Sequence, residues 1–210
     1  MPLLDSFNID KEISVYIWEI KETLTDLKRE VFLSSSDQKK IGKLKSLEHQ
    51  KGFLAARNLF KFAKIDKIGL DYNSEGAPNL NNGKHISITH SKNYAGVAIG
   101  QNDLGIDLEV YQEKIIKIAP KFVNDKERFV FNFPSLMEAL TLIWTAKEAI
   151  YKAVSIKGIH FRRDIIISPF KIGDKKGSAK MFLNRQEKEF SLNFIVNKNF
   201  CGTLANKLNK

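Results

Sequence analysis

Apolar positions along this chain recur with two different periods. Residues 13–20, ISVYIWEI, are β-branched and aromatic and predict a strand. Between residues 36 and 64 the period lengthens. Phe53, Ala56, Phe60 and Ala63 stand at i, i+3, i+7 and i+10, on one helical face. Ser36 and Asp37 have N-cap chemistry. Lys51, Arg57, Lys61 and Lys64 fall mostly off the apolar face. The segment therefore predicts an amphipathic helix, or a pair of helices, with a basic outer side. Residues 73–84 are turn chemistry. Residues 85–91 and 94–100 read as strands joined by a short turn at Lys92 and Asn93, and residues 105–110 as a further strand.

Residues 115–131 read as helical, with Pro120 near the start of a turn. Pro134 opens a second helix that runs to residue 157, since proline suits a first helical turn. Most of the remainder is strand, at residues 164–168, 179–184, 189–196 and 200–205. The order is strand, long helix, strands, then strand, helices, strands. It predicts an α+β protein of two similar halves, residues 1–102 and 103–210, with a cleft at their junction as the place for a ligand. There is no clear residue-level repeat and no low-complexity linker.

Composition narrows the class. With 210 residues, 43% hydrophobic and 15 of them Phe, the chain can bury a substantial core and does not read as disordered. Its single cysteine, Cys201, excludes an internal disulfide framework and a Cys-rich zinc site. The start lacks a basic segment followed by an apolar one, so no signal peptide is expected. No apolar run approaches the roughly 18 residues that span a bilayer. The expected location is cytoplasmic. A net charge of +10 implies an anionic partner: nucleic acid, acidic lipid, an acidic protein or a phosphorylated cofactor. Charge does not choose among them, and a solvated lysine-rich surface has the same composition.

Four groups of residues carry candidate chemistry. In Gly105, Ile106, Asp107, Leu108 and Glu109 the two acids are at i and i+2, so they share one face of a strand while Ile106, Leu108 and Val110 turn to the core. Adjacent carboxylates repel unless something positive neutralises them, and a hard cation such as Mg2+ does so while recruiting phosphate oxygens. A polar, solvent-facing strand edge has the same pattern. On the helix opened by Pro134, Leu136, Leu140, Ile143, Ile150 and Val154 mark the buried stripe. Thr141, Thr145, Glu148 and Lys152 form another, and Glu148 with Lys152 has the spacing and order of a helix-supporting ion pair. Thr89, His90 and Ser91, at a strand end, offer donors to phosphate. Lys51, Arg57 and Lys61 present a basic helical face.

The combination is more specific than its parts. Gly-Ile-Asp107-x-Glu109 followed by Trp144-x-x-Lys147-Glu148-x-x-x-Lys152 resembles the signature of the 4'-phosphopantetheinyl transferase superfamily, and residues 86–91 resemble the upstream motif of its larger, monomeric, surfactin-synthetase-activating type. The resemblance runs from about Lys51 to Lys152. It implies a pseudo-twofold pair of α+β halves with coenzyme A in the cleft between them. It further implies Mg2+ held by Asp107, Glu109 and Glu148, with Lys152 on the pyrophosphate. Thr89 and His90 would touch the phosphates of coenzyme A. Arg57 and Lys51 would meet the 3'-phosphate. Glu148 would also be the general base, with Asp107, Glu148 and Lys152 forming the catalytic set. The implied reaction moves phosphopantetheine from coenzyme A to a serine of an acidic apo acyl or peptidyl carrier protein. One departure stands out: the family's Gly-Lys-Pro loop is here Gly76, Ala77 and Pro78, which removes a lysine from the nucleotide end, where Lys84 or Lys92 would have to compensate. Phe122, Phe129 and Phe131 are candidates for docking the carrier.

Two other functions fit parts of the pattern: a carrier- or coenzyme A-binding homologue without activity, and a basic nucleic-acid-binding module. The second has only charge behind it, with no helix-turn-helix, zinc-finger or aromatic RNA-binding run. A P-loop hydrolase is disfavoured by the missing Gly-x-x-x-x-Gly-Lys-Ser/Thr.

Overall fold

The structure, a computed structural model, describes residues 3–9, 12–31, 33–65, 69–73, 76–171 and 173–208. Met1 and Pro2, and Ser74 and Glu75 of the expected turn, lie outside the described residues. The chain divides into two compact units, at residues 1–101 and 102–210.

The first unit carries β1 (Leu3–Ile9), β2 (Ile13–Glu19), α1 (Leu24–Glu30), α2 (Ser35–Lys43), α3 (Leu47–Phe62), β3 (Leu70–Tyr72), β4 (Pro78–Leu80), β5 (His85–Ser91) and β6 (Tyr94–Gly100). Among the described residues its strands form one antiparallel sheet in the order β1-β2-β6-β5-β4-β3. The long amphipathic segment is a pair of helices, and their caps are Ser34 and Ser46 in place of Ser36 and Asp37. Ser34 accepts from the Asp37 amide, and the Asp37 carboxylate is committed elsewhere, to Arg57. Leu54, Ala55 and Leu59 of α3 pack with Trp18, Leu27 and Val97 in this unit's core. The expected turn at residues 73–84 contains β4, and β5 and β6 meet in a two-residue turn at Lys92 and Asn93, as their register requires.

The second unit carries β7 (Leu104–Val110), α4 (Lys114–Ile118), α5 (Leu136–Val154), α6 (Phe161–Asp164), β8 (Ile165–Ile167), β9 (Lys176–Leu183), β10 (Gln186–Val196) and β11 (Phe200–Lys207). Its sheet is antiparallel in the order β7-β11-β10-β9-β8. The β9–β10 hairpin turns at Asn184 and Arg185, both at positive φ (50° and 63°) as a primed two-residue turn demands. Residues 114–132 do not form one helix: α4 is followed by 3-10 segments at Ala119–Lys121 and Asp125–Asn132. Pro120 enters the first of these, and Asn124 with Glu127 makes a reciprocal capping box at the second.

Helix α5 is capped by Ser135, whose side chain accepts from the Glu138 amide, and ends at Ser155 in the left-handed region (φ 49°). Leu140, Ile143, Ala146 and Ile150 pack with Met181, Phe190 and Leu192 in this unit's core. No helix among the described residues is long and apolar enough to cross a membrane.

A candidate carboxylate site between α5 and β7

The two acids of β7 lie on the face of the sheet that α5 covers. Register settles this: Gly105, Asp107 and Glu109 pair with Ala205, Thr203 and Cys201 of β11, and Ala205 and Cys201 belong to the core under α5. Helix α5 lies directly on this row. A Cβ at Gly105 would stand 1.9 Å from the Ala149 carbonyl oxygen and 2.7 Å from the Ala153 nitrogen, so only glycine permits the approach. The expectation that Asp107 turns away from the core is thus corrected: Asp107 is 5% exposed, and Ile106 and Leu108 on the opposite face are buried too. A strand covered on both faces loses the simple contrast between apolar-in and polar-out.

Lys152 reaches this row from α5. Its Nζ donates to Asp107 Oδ1 at 2.7 Å and to the Ile106 carbonyl at 3.1 Å. The i, i+4 spacing pointed to Glu148 as its partner; the ion pair formed is with Asp107. Glu148, half-buried, has its carboxyl pushed up to about 7, first by burial and then by Asp107, with Lys152 opposing and Glu109 adding to the repulsion. Asp107, Glu109, Glu148 and Lys152 are therefore brought into one electrostatic neighbourhood.

Among the described residues no three His, Cys, Asp or Glu side chains already converge as a metal shell. The donor chemistry nevertheless fits a hard divalent cation. All three acids are oxygen donors, and their repulsion on Glu148 is what such a charge would relieve.

Beside the carboxylates, Lys147 was not a candidate, and the structure makes it a tie of the fold. Fully buried, it donates to Glu127 Oε2 at 2.7 Å and to the carbonyls of Phe122 (2.7 Å), Phe161 (3.1 Å) and Ile165 (2.9 Å). Glu127 also accepts from the amides of Asn124 and Ile167. Burial lowers the Lys147 pKa and Glu127 opposes the shift. Its position was a signal in the sequence: residue 147 falls on the apolar stripe of Leu140, Ile143, Ile150 and Val154, whereas Lys152 falls on the other.

The candidates of the first unit are placed differently. Arg57 is not on an outer basic face: it is 4% exposed, its Nε and Nη2 donate to Asp37 Oδ1 at 2.9 and 2.8 Å, and Nη2 donates to the Tyr72 hydroxyl at 2.5 Å. Its guanidinium also lies over the rings of Phe53 and Phe60. Lys51 is half-buried and Lys61 exposed. Adjacent on β5, Thr89 and His90 point to opposite faces; Thr89 is buried and His90 exposed. The His90 ring lies against α3, where a Cβ on Gly52 would come within 2.8 Å of Cγ. Gly52 is a second residue the sequence reading missed; a glycine inside a helix is the signal of such an approach. The Ala77 amide donates to Asn73 Oδ1 at 2.8 Å, closing the loop without a cationic side chain. Of the three docking candidates, Phe122 is in the core and Phe129 packs on Phe170, while Phe131 is 50% exposed.

The chain is similar to known proteins over part of its length. Residues 103–205 match the model of the 4'-phosphopantetheinyl transferase superfamily. The chain is 31% identical over 120 residues to the 4'-phosphopantetheinyl transferase gsp of Aneurinibacillus migulanus, covering 56% of this chain and 48% of the relative. It is 29% identical over 118 residues to enterobactin synthase component D of Salmonella typhi, covering 54% and 50%. The chain thus spans about half the length of the curated relatives it matches. The matched residues, 103–205, make up nearly all of the second unit.

Proposed function

We propose that this protein transfers the 4'-phosphopantetheine group of coenzyme A to a serine of an apo acyl or peptidyl carrier protein, with Mg2+ and as a cytoplasmic monomer of the surfactin-synthetase-activating type. The observation that carries it is the gathering of Asp107, Glu109, Glu148 and Lys152 at the α5–β7 seam, where burial first, then Asp107 and to a smaller degree Glu109, against Lys152, raise the Glu148 carboxyl to about 7. Asp107, Glu109 and Glu148 would hold Mg2+, which when bound neutralises the pyrophosphate and fixes its position. Lys152 would leave Asp107 for a phosphate oxygen, supplying fixed positive charge where negative charge collects. Glu148 is the group to take the serine proton, directly or through water, and its raised pKa suits that task near neutrality. The serine oxygen forms a bond to the β-phosphorus, the bond from that phosphorus to the bridging oxygen breaks, and adenosine 3',5'-bisphosphate leaves.

Thr89 and His90 are assigned to the phosphates of coenzyme A. Lys51 and Arg57 are assigned to the 3'-phosphate, Arg57 from within its network with Asp37 and Tyr72. The carrier is an acidic surface. Supporting this, a groove of about 270 Å³ lined in part by Ile116, Asp125, Arg128, Phe131 and Arg162 offers two exposed apolar side chains, Ile116 and Phe131, beside two arginines, of which Arg162 pairs with Asp125 at 3.6 Å and Arg128 adds positive charge.

The test is direct. The protein is mixed with an apo carrier, coenzyme A and Mg2+, and the carrier is weighed by mass spectrometry. One added phosphopantetheine, lost with a chelator and lost in Asp107→Ala or Glu148→Ala variants that remain folded, is the expected outcome. No gain with fatty-acid, polyketide and peptide-synthetase carriers would overturn the proposal.

A further inference from the structure

Two threonines meet in the dry layer beneath the carboxylates. Thr145 of α5 and Thr203 of β11 are both wholly buried, and their hydroxyl oxygens are 2.9 Å apart. Thr145 also donates to the Leu142 carbonyl at 3.0 Å, so the pair is anchored in the helix itself. Their neighbours give this contact its meaning. Thr203 is the register partner of Asp107, and Cys201, next on the same face, is the partner of Glu109. Thr145 stands one helical turn before Glu148. The hydroxyl pair thus spans the two elements that carry the acids, within one residue pair of Asp107 on one side and one turn of Glu148 on the other.

Apolar packing is poorly directional and would let α5 slide or roll over β11 by fractions of an ångström. A hydrogen bond between two short, buried side chains fixes both distance and direction. Gly105 under Ala149 sets how closely the helix approaches; the threonine pair sets its position along and around its axis. A site assembled from two elements requires that second constraint, because its ligands must be held to about 0.5 Å.

We propose that Thr145 and Thr203 are positioning residues that hold Glu148 at the separation from Asp107 and Glu109 at which the three acids share a divalent cation. The proposal rests on the function inferred above.

The test uses Thr145→Val, Thr203→Val and the double variant in the full-length protein. Thr145→Val leaves the Thr203 hydroxyl without its partner and lowers the unfolding midpoint, whereas Thr203→Val leaves Thr145 its bond to the Leu142 carbonyl and lowers it less. The double change removes both hydroxyls while keeping shape, so stability returns close to that of the parent. Mn2+ affinity, read by electron paramagnetic resonance in the absence of carrier, is then the discriminating measurement. We expect the double variant to stay about tenfold weaker for Mn2+ despite its restored stability, with Thr145→Ser recovering the parent value. A double variant that regains stability and Mn2+ affinity together would make the pair merely structural and overturn the proposal. So would a parent protein that binds no Mn2+. A parent that modifies no carrier, but whose Mn2+ affinity still falls in the double variant, would sink the transferase reading and leave the positioning role standing.

Discussion

Two faces of α5 carry lysines five positions apart, and the structure treats them in opposite ways. Lys147 is fully buried with a carboxylate and three carbonyls around it, and Glu127 opposite it is equally enclosed. Every charge there has a counter-charge and a full set of hydrogen bonds. Lys152, with its side chain 28% exposed, holds Asp107 in a neighbourhood that contains two further acids. The first arrangement is closed, and any change to it exposes an unmatched buried charge. The second carries more negative than positive charge among these four groups and is reachable from solvent, which leaves it able to exchange partners. A buried pair with complete satisfaction marks structure, whereas a partly open cluster with surplus charge marks a site.

The largest effect should come from the closed face. Lys147→Met leaves Glu127 charged and buried, and should cost about 3–5 kcal/mol in urea unfolding. A small loss there would mean that water or another cation reaches Glu127, and the contrast would collapse. On the open face, Lys152→Met leaves the buried Asp107 with less positive charge but within reach of solvent, and should cost about 1–2 kcal/mol, clearly less than Lys147→Met, while lowering carrier modification by about 100-fold or more. Equal losses of stability at both lysines would erase the distinction between them.

Acid–base behaviour sharpens the contrast further. Because Glu148 must shed its proton to bind a cation, Mn2+ or Mg2+ affinity should rise about tenfold per pH unit below about 7 and level off above it. A pH-independent affinity between about 5 and 8 would remove Glu148 from the metal shell. The smallest effect concerns the protein without metal. The Glu148 carboxyl is raised in the folded state, so its contribution to stability is complete below its ordinary value of 4.5 and is lost as pH rises through about 7. Glu148→Gln has no such loss, and should be the more stable protein on the alkaline side of neutrality by about 1 kcal/mol, allowing for solvent screening. The difference should vanish on acidification; one that persists would point to packing instead of charge.

Much of the fold was legible where one period dominates. The helix expected from Pro134 to residue 157 is α5 (Leu136–Val154), shortened by the Ser135 cap, and the strands at residues 13–20, 85–91, 94–100 and 105–110 are present within a residue or so. Legibility failed where tertiary contacts replace local period. Residues 114–132 break into short turns because Glu127 must face inward to Lys147, a demand made by a residue 20 positions away. Strand β1 and helix α1 were not expected: all seven β1 residues keep some or most of their exposure, and α1 is a single short stretch with one buried residue, Leu27.

By itself the sequence determined directions within each element. It put Asp107 and Glu109 on one face of a strand and Glu148 and Lys152 on one side of a helix, because side-chain direction repeats every two residues in the one and every 3.6 in the other. Tertiary structure alone decided which of those faces meet. It turned the acid face of β7 under α5, took Lys152 from Glu148 to Asp107, and drew Arg57 out of solvent to Asp37. Those choices rest on contacts between elements far apart in the chain. They are set by which packing leaves the fewest buried charges unmatched, a property no local window contains.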